Sequence, residues 1–205
     1  MEKTPNLKLK KIYKALSSGI PVQDRTKLEY YRDIAMTLGV TKAIIINPSE
    51  DSVFQERVRL SCANNCARYG TKLSCPPYIP DLDYEKAIRE YNLGLILMVE
   101  RAAKTQKQFK ETRAESTNTL HKILLKLEKE AFDQGQYLTT SFIRGSCKLC
   151  DNCYDECKHP ESSRIPIEAT GMNVVKTLEN IGEKIAFPVA KYKKFSRIGL
   201  FLLSE

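Results

Sequence analysis

Four cysteines fall within eleven residues of the segment GSCKLCDNCYDECKHP, at Cys147, Cys150, Cys153 and Cys157. The spacing C-x2-C-x2-C-x3-C constrains the chain more than any other feature, because it asks for a loop wrapped around something that it ligates. A cubane iron–sulfur cluster presents iron corners in different directions, and a loop offering a cysteine every third residue reaches them in turn. Zinc is a single small tetrahedral ion, and its usual sites join two C-x2-C knuckles from distant parts of a chain. Four thiolates so close in sequence crowd one zinc ion, so a cubane is the expectation and zinc the alternative.

The same run, followed directly by proline, ligates clusters in bacterial ferredoxins. Here Lys158 and His159 come between Cys157 and Pro160. His159 reads as a spare ligand, a hydrogen-bond donor to the cluster or an ordinary loop residue. Upstream, Cys62, Cys66 and Cys75 stand in CANNCARYGTKLSC at C-x3-C-x8-C spacing, beside Gly70, Pro76 and Pro77. They suit three corners of a second cubane. Two cubanes with a cysteine on every iron take one more thiolate than the seven cysteines supply. Either Cys157 closes its own cluster and leaves the Cys62/Cys66/Cys75 cluster with an open iron, or it crosses over and leaves Cys147/Cys150/Cys153 one ligand short. A single site formed by both groups is the third arrangement. An open iron is a Lewis-acid position, to be filled by a non-cysteine side chain, an exogenous ligand or a substrate.

The start, MEKTPNLKLKKIYK, is charged and has no apolar h-region, and no apolar run is long enough to cross a bilayer. A cytoplasmic chain with no membrane partner is expected. A reducing compartment and an odd cysteine count both argue against a disulfide framework. The formal net charge is +8, with clusters at Lys8, Lys10, Lys11 and Lys14 and at Lys191, Lys193, Lys194 and Arg197. These patches read either as a solvated surface or as docking sites for a redox partner protein or a nucleic acid.

Residues 1–40 read as an N-terminal helical segment. Leu9, Ile12, Tyr13 and Leu16 recur at helical spacing, and KLEYYRDIAMTLG ends on Gly39, a C-cap candidate. Residues 41–205 read as an α/β domain that binds the metal or cluster. KAIIIN and NLGLILMV are continuous apolar runs typical of buried strands, and YLTTSFI, FPVAKYK and RIGLFLL are further strand candidates. Gly70, Pro76, Pro77 and Pro80 place Cys62 to Cys75 on a loop with room for one helical turn. DYEKAIREY and GMNVVKTLENIG read as short helices. A long helix runs from about Lys104 to Gln134, with Leu120, Ile123, Leu124, Leu127, Ala131 and Phe132 on its apolar face. Its polar first half is expected to stand clear of the body, and His121 to lie on its surface. The expected fold is α/β or α+β: a single sheet flanked by helices, with two cysteine-rich cluster-binding loops meeting near strand ends.

Taken in order, VRLSCANNCARYGTKLSCPPYIP, GSCKLCDNCYDECKHP and IPIEATGMNV resemble the successive motifs of an uncharacterised bacterial and archaeal family described as "predicted metal-binding protein". The resemblance covers most of the chain after about residue 40. It implies metal binding through Cys62, Cys66, Cys75, Cys147, Cys150, Cys153 and Cys157, and little more. Glu168, in the third motif, reads as a helix-start carboxylate, as a partner of Arg144 or Arg164, or as a group serving the cluster. Arg59, Arg68, Tyr69 and Tyr78 flank the upstream cysteines and either serve the cluster, bind an anion or pack the loop. The functional expectation is an iron–sulfur protein with two [4Fe-4S] clusters, acting in electron transfer or redox activation of a partner. The alternatives are an enzyme using an open iron, for sulfur transfer or related chemistry on RNA, and a zinc-stabilised binding module. No P-loop, G-x-G-x-x-G or H-E-x-x-H motif accompanies the cysteines, so catalytic residues are not readable.

Overall fold

The computed structural model describes residues 22–183, 185 and 194–204. The N-terminal helical repeat of Leu9 to Leu16, the lysines before residue 22, Lys191, Lys193 and the FPVAKYK candidate strand lie outside these residues.

Four strands form one antiparallel sheet in the order β1-β2-β4-β3: β1 Lys42–Ile46, β2 Leu93–Arg101, β3 Thr140–Ile143 and β4 Phe195–Leu203. The register sets Ile44, Ile96, Leu200 and Phe142 in one row across the sheet. Ile45, Leu95, Phe201 and Ser141 form the row beside it, facing the other way. An antiparallel sheet commonly leaves one face to water. Here both faces are covered, and this is why β2 and β4 read as unbroken apolar runs rather than as alternation.

One face packs against α1 (Val22–Thr37) through Leu28, Tyr31 and Ala35, and against α5 (Gln106–Asp133) through Leu120, Leu124 and Leu127. The other is covered by α4 (Tyr84–Arg89), by a 3-10 turn at Ile167–Thr170 and by α6 (Val174–Asn180), which contribute Tyr84, Ile88, Ile167, Val174 and Leu178. Two short helices complete the order, α2 (Pro48–Asp51) and α3 (Glu56–Asn65). Gly39 turns the chain out of α1 at φ +102° and Gly135 ends α5 at +86°, conformations that cost a side chain free energy. Gly199 answers a different need. A Cβ there would stand 2.7 Å from Leu124 Cδ1, so the bare backbone lets α5 settle on β4.

Three expectations are corrected. The first half of α5 does not stand clear: the Phe109 ring meets Phe195 edge-on at 5.0 Å, and Ser116 and Thr117 are buried. Their hydroxyls donate to the carbonyls of Thr112 and Arg113, so polar residues satisfied by their own helix line an interior face. His121, one turn beyond Thr117, shares that face and is only 1% exposed, not a surface residue. Arg197 is 7% exposed, so it does not belong to a surface basic patch. Lys194, in contrast, pairs with Glu100 at 3.0 Å. Among the described residues no helix is long and apolar enough to cross a membrane.

Candidate metal centre

The two cysteine groups occupy separate excursions from the sheet. The first leaves β1 at Ile46, opposite Gly94. The second leaves β3 at Ile143, which pairs with Gly199 halfway along β4. The groups are therefore not gathered by neighbouring strand ends but by contacts between the excursions.

Cys62 lies on α3 rather than on a loop, and Cys66 is its C-cap. The three-residue gap between them is one helical turn, which sets both on one side of α3. The chain then folds back on itself: Gly70 donates to the Pro76 carbonyl at 3.0 Å, Cys75 to Lys72 at 2.8 Å and Tyr78 to Cys75 at 3.0 Å. The second group lies on residues 144–166, a run without helix or strand. Irregular stretches of this length in a compact domain are commonly binding loops. Both ends are pinned. At the start, Glu168 accepts from Arg144 Nε and from the Gly145 amide, each at 3.1 Å, which realises the Arg144 partnership. At the finish, Arg164 forks onto Glu128 of α5, with Nε at 2.9 Å from Oε1.

Lys72 joins the excursions. It is 3% exposed, and its ammonium donates to the carbonyls of Cys150 and Asp151, both at 2.8 Å. Under this crossing lies a pocket enclosing about 370 Å³, part of it open to solvent, walled by Cys147, Cys150, Cys153, Cys157, Lys72 and Ser74. His159 also lines it. A neighbouring space of about 460 Å³ shares Ser74 and Cys157. Among the described residues, no three His, Cys, Asp or Glu side chains are close enough to hold one metal ion.

The seven cysteines are free thiols. Burial pushes Cys75 up to about 11, helped by Cys66, Cys62 and Cys147, with Ser74 opposing. Those influences place Cys147 of the second group within electrostatic reach of the first. Burial also raises Cys62, with smaller contributions from Glu168 and Cys66. Lys148 is pushed down by burial and then by Arg68, Arg113, Lys72 and Arg197. Arg197 falls to about 10, mostly through burial, while it donates to Thr117 Oγ1 at 3.0 Å and to the Arg144 carbonyl. Five cations thus crowd one region, and among the described residues none of them forms a carboxylate ion pair, whereas Arg59 pairs with Glu56.

These features test the donor set. Metal ligation converts thiols to thiolates, and an anionic thiolate centre is what this cluster of cations, with Lys72 on the pocket wall itself, would accommodate. The Ser74 hydroxyl is buried on the wall of both spaces, without a standard hydrogen-bond partner among the described residues, and it acts on the Cys75 thiol in the direction that favours a thiolate. The residues fit a metal–thiolate group.

A family model described as "Predicted metal-binding protein (DUF2284)" matches residues 45–203. The chain belongs to that family. The match runs from β1 to the last residue of β4, so it takes in the whole pocket, all seven cysteines and nearly the entire sheet, and leaves α1 outside. No curated protein and no solved structure matches the chain. A member of this family is a predicted metal-binding domain. Sequence reasoning named the seven thiols but missed Lys72 and Ser74, and the only available hint was their place just before Cys75. It also missed the Arg164–Glu128 clamp, whose partners lie far apart in the chain.

Proposed function

We propose that the protein is an iron–sulfur protein carrying two [4Fe-4S] clusters on Cys62, Cys66, Cys75, Cys147, Cys150, Cys153 and Cys157, and that it acts in electron transfer or in redox activation of a partner. The observation that carries this is the pocket walled by all four cysteines of one loop. Thiols spread around a wall suit a multi-atom cluster, which needs its ligands apart, better than a single zinc ion, which needs them converging. When bound, such clusters supply one-electron transfer at potentials tuned by charge and hydrogen bonding.

The chain's own part is to hold and insulate. α3 presents Cys62 and Cys66, the clamps at Glu168 and Arg164 fix the ends of the long loop, and Lys72 and Ser74 roof it. Arg68, Arg113, Lys148 and Lys158 give the region a positive field that favours an acidic partner protein. Seven free thiols suit a reducing, cytoplasmic setting.

The test is anaerobic purification followed by iron, zinc and acid-labile sulfide analysis with EPR. Brown protein with iron and sulfide in equal amounts, enough for two cubanes, is expected. Colourless protein holding zinc refutes the reading.

A further inference from the structure

The first charge beside the pocket is not a ligand. Lys72 is buried on the side facing the four-cysteine loop, and among the described residues its ammonium donates to the carbonyls of Cys150 and Asp151. Two carbonyl dipoles do not fully balance a buried ammonium, which favours a nearby negative group. Among the described residues it forms no carboxylate ion pair, while surface lysines such as Lys129 and Lys176 do. Ser74, two residues on, carries a buried hydroxyl that lines the same pocket, meets no standard hydrogen-bond partner among the described residues, and acts on the neighbouring Cys75 thiol in the direction that favours the thiolate. One short segment therefore sets a positive charge without a carboxylate partner and a thiolate-favouring hydroxyl on the same cavity.

We infer that Lys72 and Ser74 are positioning residues for the resident anionic centre. Lys72 is its fixed counter-charge and Ser74 a hydrogen-bond donor to its sulfur. The inference rests on the metal–thiolate reading above and deepens it, because it assigns to two residues outside the cysteine set the work of holding negative charge in a partly enclosed site. It also gives the crossing between the excursions a purpose beyond packing, since the centre and Lys72 would hold each other in place.

The test compares Lys72→Arg, Lys72→Gln and Ser74→Ala in the full chain as purified. Readouts are the rate of metal loss to a chelator, bipyridyl for iron or EDTA for zinc, and, for iron, the midpoint potential from EPR-monitored titration. Lys72→Gln keeps a donor for the carbonyls but removes the charge. It is expected to lose metal about tenfold faster, the scale of one charged hydrogen bond, and to shift the potential to more negative values, because an added electron loses a nearby cation. Lys72→Arg is expected to stay near wild type, and Ser74→Ala to move both readouts in the direction of Lys72→Gln by less. Lys72→Gln retaining metal and potential like wild type overturns the inference, since the hydrogen-bonded crossing alone would then suffice. If Lys72→Gln does not fold, judged by circular dichroism, an unchanged Ser74→Ala overturns it instead. Metal analysis of the wild type separately decides the iron–sulfur reading. Zinc would end that reading and leave the Lys72 comparison standing, because a zinc–thiolate site is also anionic.

Discussion

Replacing Glu128 by leucine removes the carboxylate that holds the far end of the cysteine loop. Arg164 and Glu128 are 17% and 13% exposed, so the pair is largely desolvated. Breaking a buried pair by deleting one partner costs about 3–5 kcal/mol, because the surviving charge is left uncompensated. Arg164 keeps the carbonyls of Glu161 at 3.1 Å and Ser163 at 2.7 Å, which favours the lower end, about 3 kcal/mol. The hydroxyl of Ser141, on β3, also donates to Glu128, and its loss adds about 1 kcal/mol. A total of about 4 kcal/mol lowers Tm by roughly 10 °C in a chain of this size. Differential scanning calorimetry of the metal-free protein measures it. The double variant Glu128→Leu with Arg164→Met supplies the control, because apolar replacement of both partners is often neutral. It should recover most of the loss. A single-variant shift below about 2 °C, or a double variant no better than the single, would refute the argument that an uncompensated charge is responsible.

Three further outcomes are expected. Burial holds the His121 pKa below its usual value, with Arg164 acting in the same direction and the Ser162 backbone and Glu128 opposing. The unfolded chain therefore binds the proton more readily, stability is fully present above the ordinary histidine range and falls as pH drops through it, and His121→Leu should flatten that slope in urea titrations of metal-free protein. Gly199→Ala drives a methyl into Leu124 and Leu120 and should destabilise by about 1–3 kcal/mol, read as a lower urea midpoint. In metal-free protein, iodoacetamide should label exposed Cys66 well before buried Cys75, whose thiol is raised to about 11; equal rates by mass spectrometry would contradict the burial.

The sheet is largely visible in the sequence because its central strands are buried on both sides, so NLGLILMV and RIGLFLL need no periodicity argument to stand out, and the half-buried edge strand KAIIIN is also a continuous apolar run. The order of those strands was not visible, because pairing depends on which partner completes each face. The first half of α5 looks solvent-facing in the sequence for a related reason. Ser116, Thr117 and His121 look solvent-seeking, yet two of them satisfy their hydroxyls on their own helix and can line a core. At the candidate site, the cysteines were legible because their spacing speaks for itself. Lys72, Ser74 and Arg197 were not, since nothing local separates a buried cation from a surface one. The glycine and prolines that suggest a loop for Cys62 lie downstream and act after Cys66, where α3 has already ended.

The strand order carries a consequence for assembly. β4 lies between β2 and β3, and among the described strands β4 is the one that pairs with β3, which otherwise makes an isolated bridge from Ile143 to Pro166. Until residues 195–203 are in place, the strand that launches the four-cysteine loop lacks its strand partner, and Arg197, which ties that loop to α5, is missing. All seven thiols precede that strand in the chain. During synthesis they emerge before the strand that completes their scaffold, so the seven thiols are all made before the sheet that positions them can close.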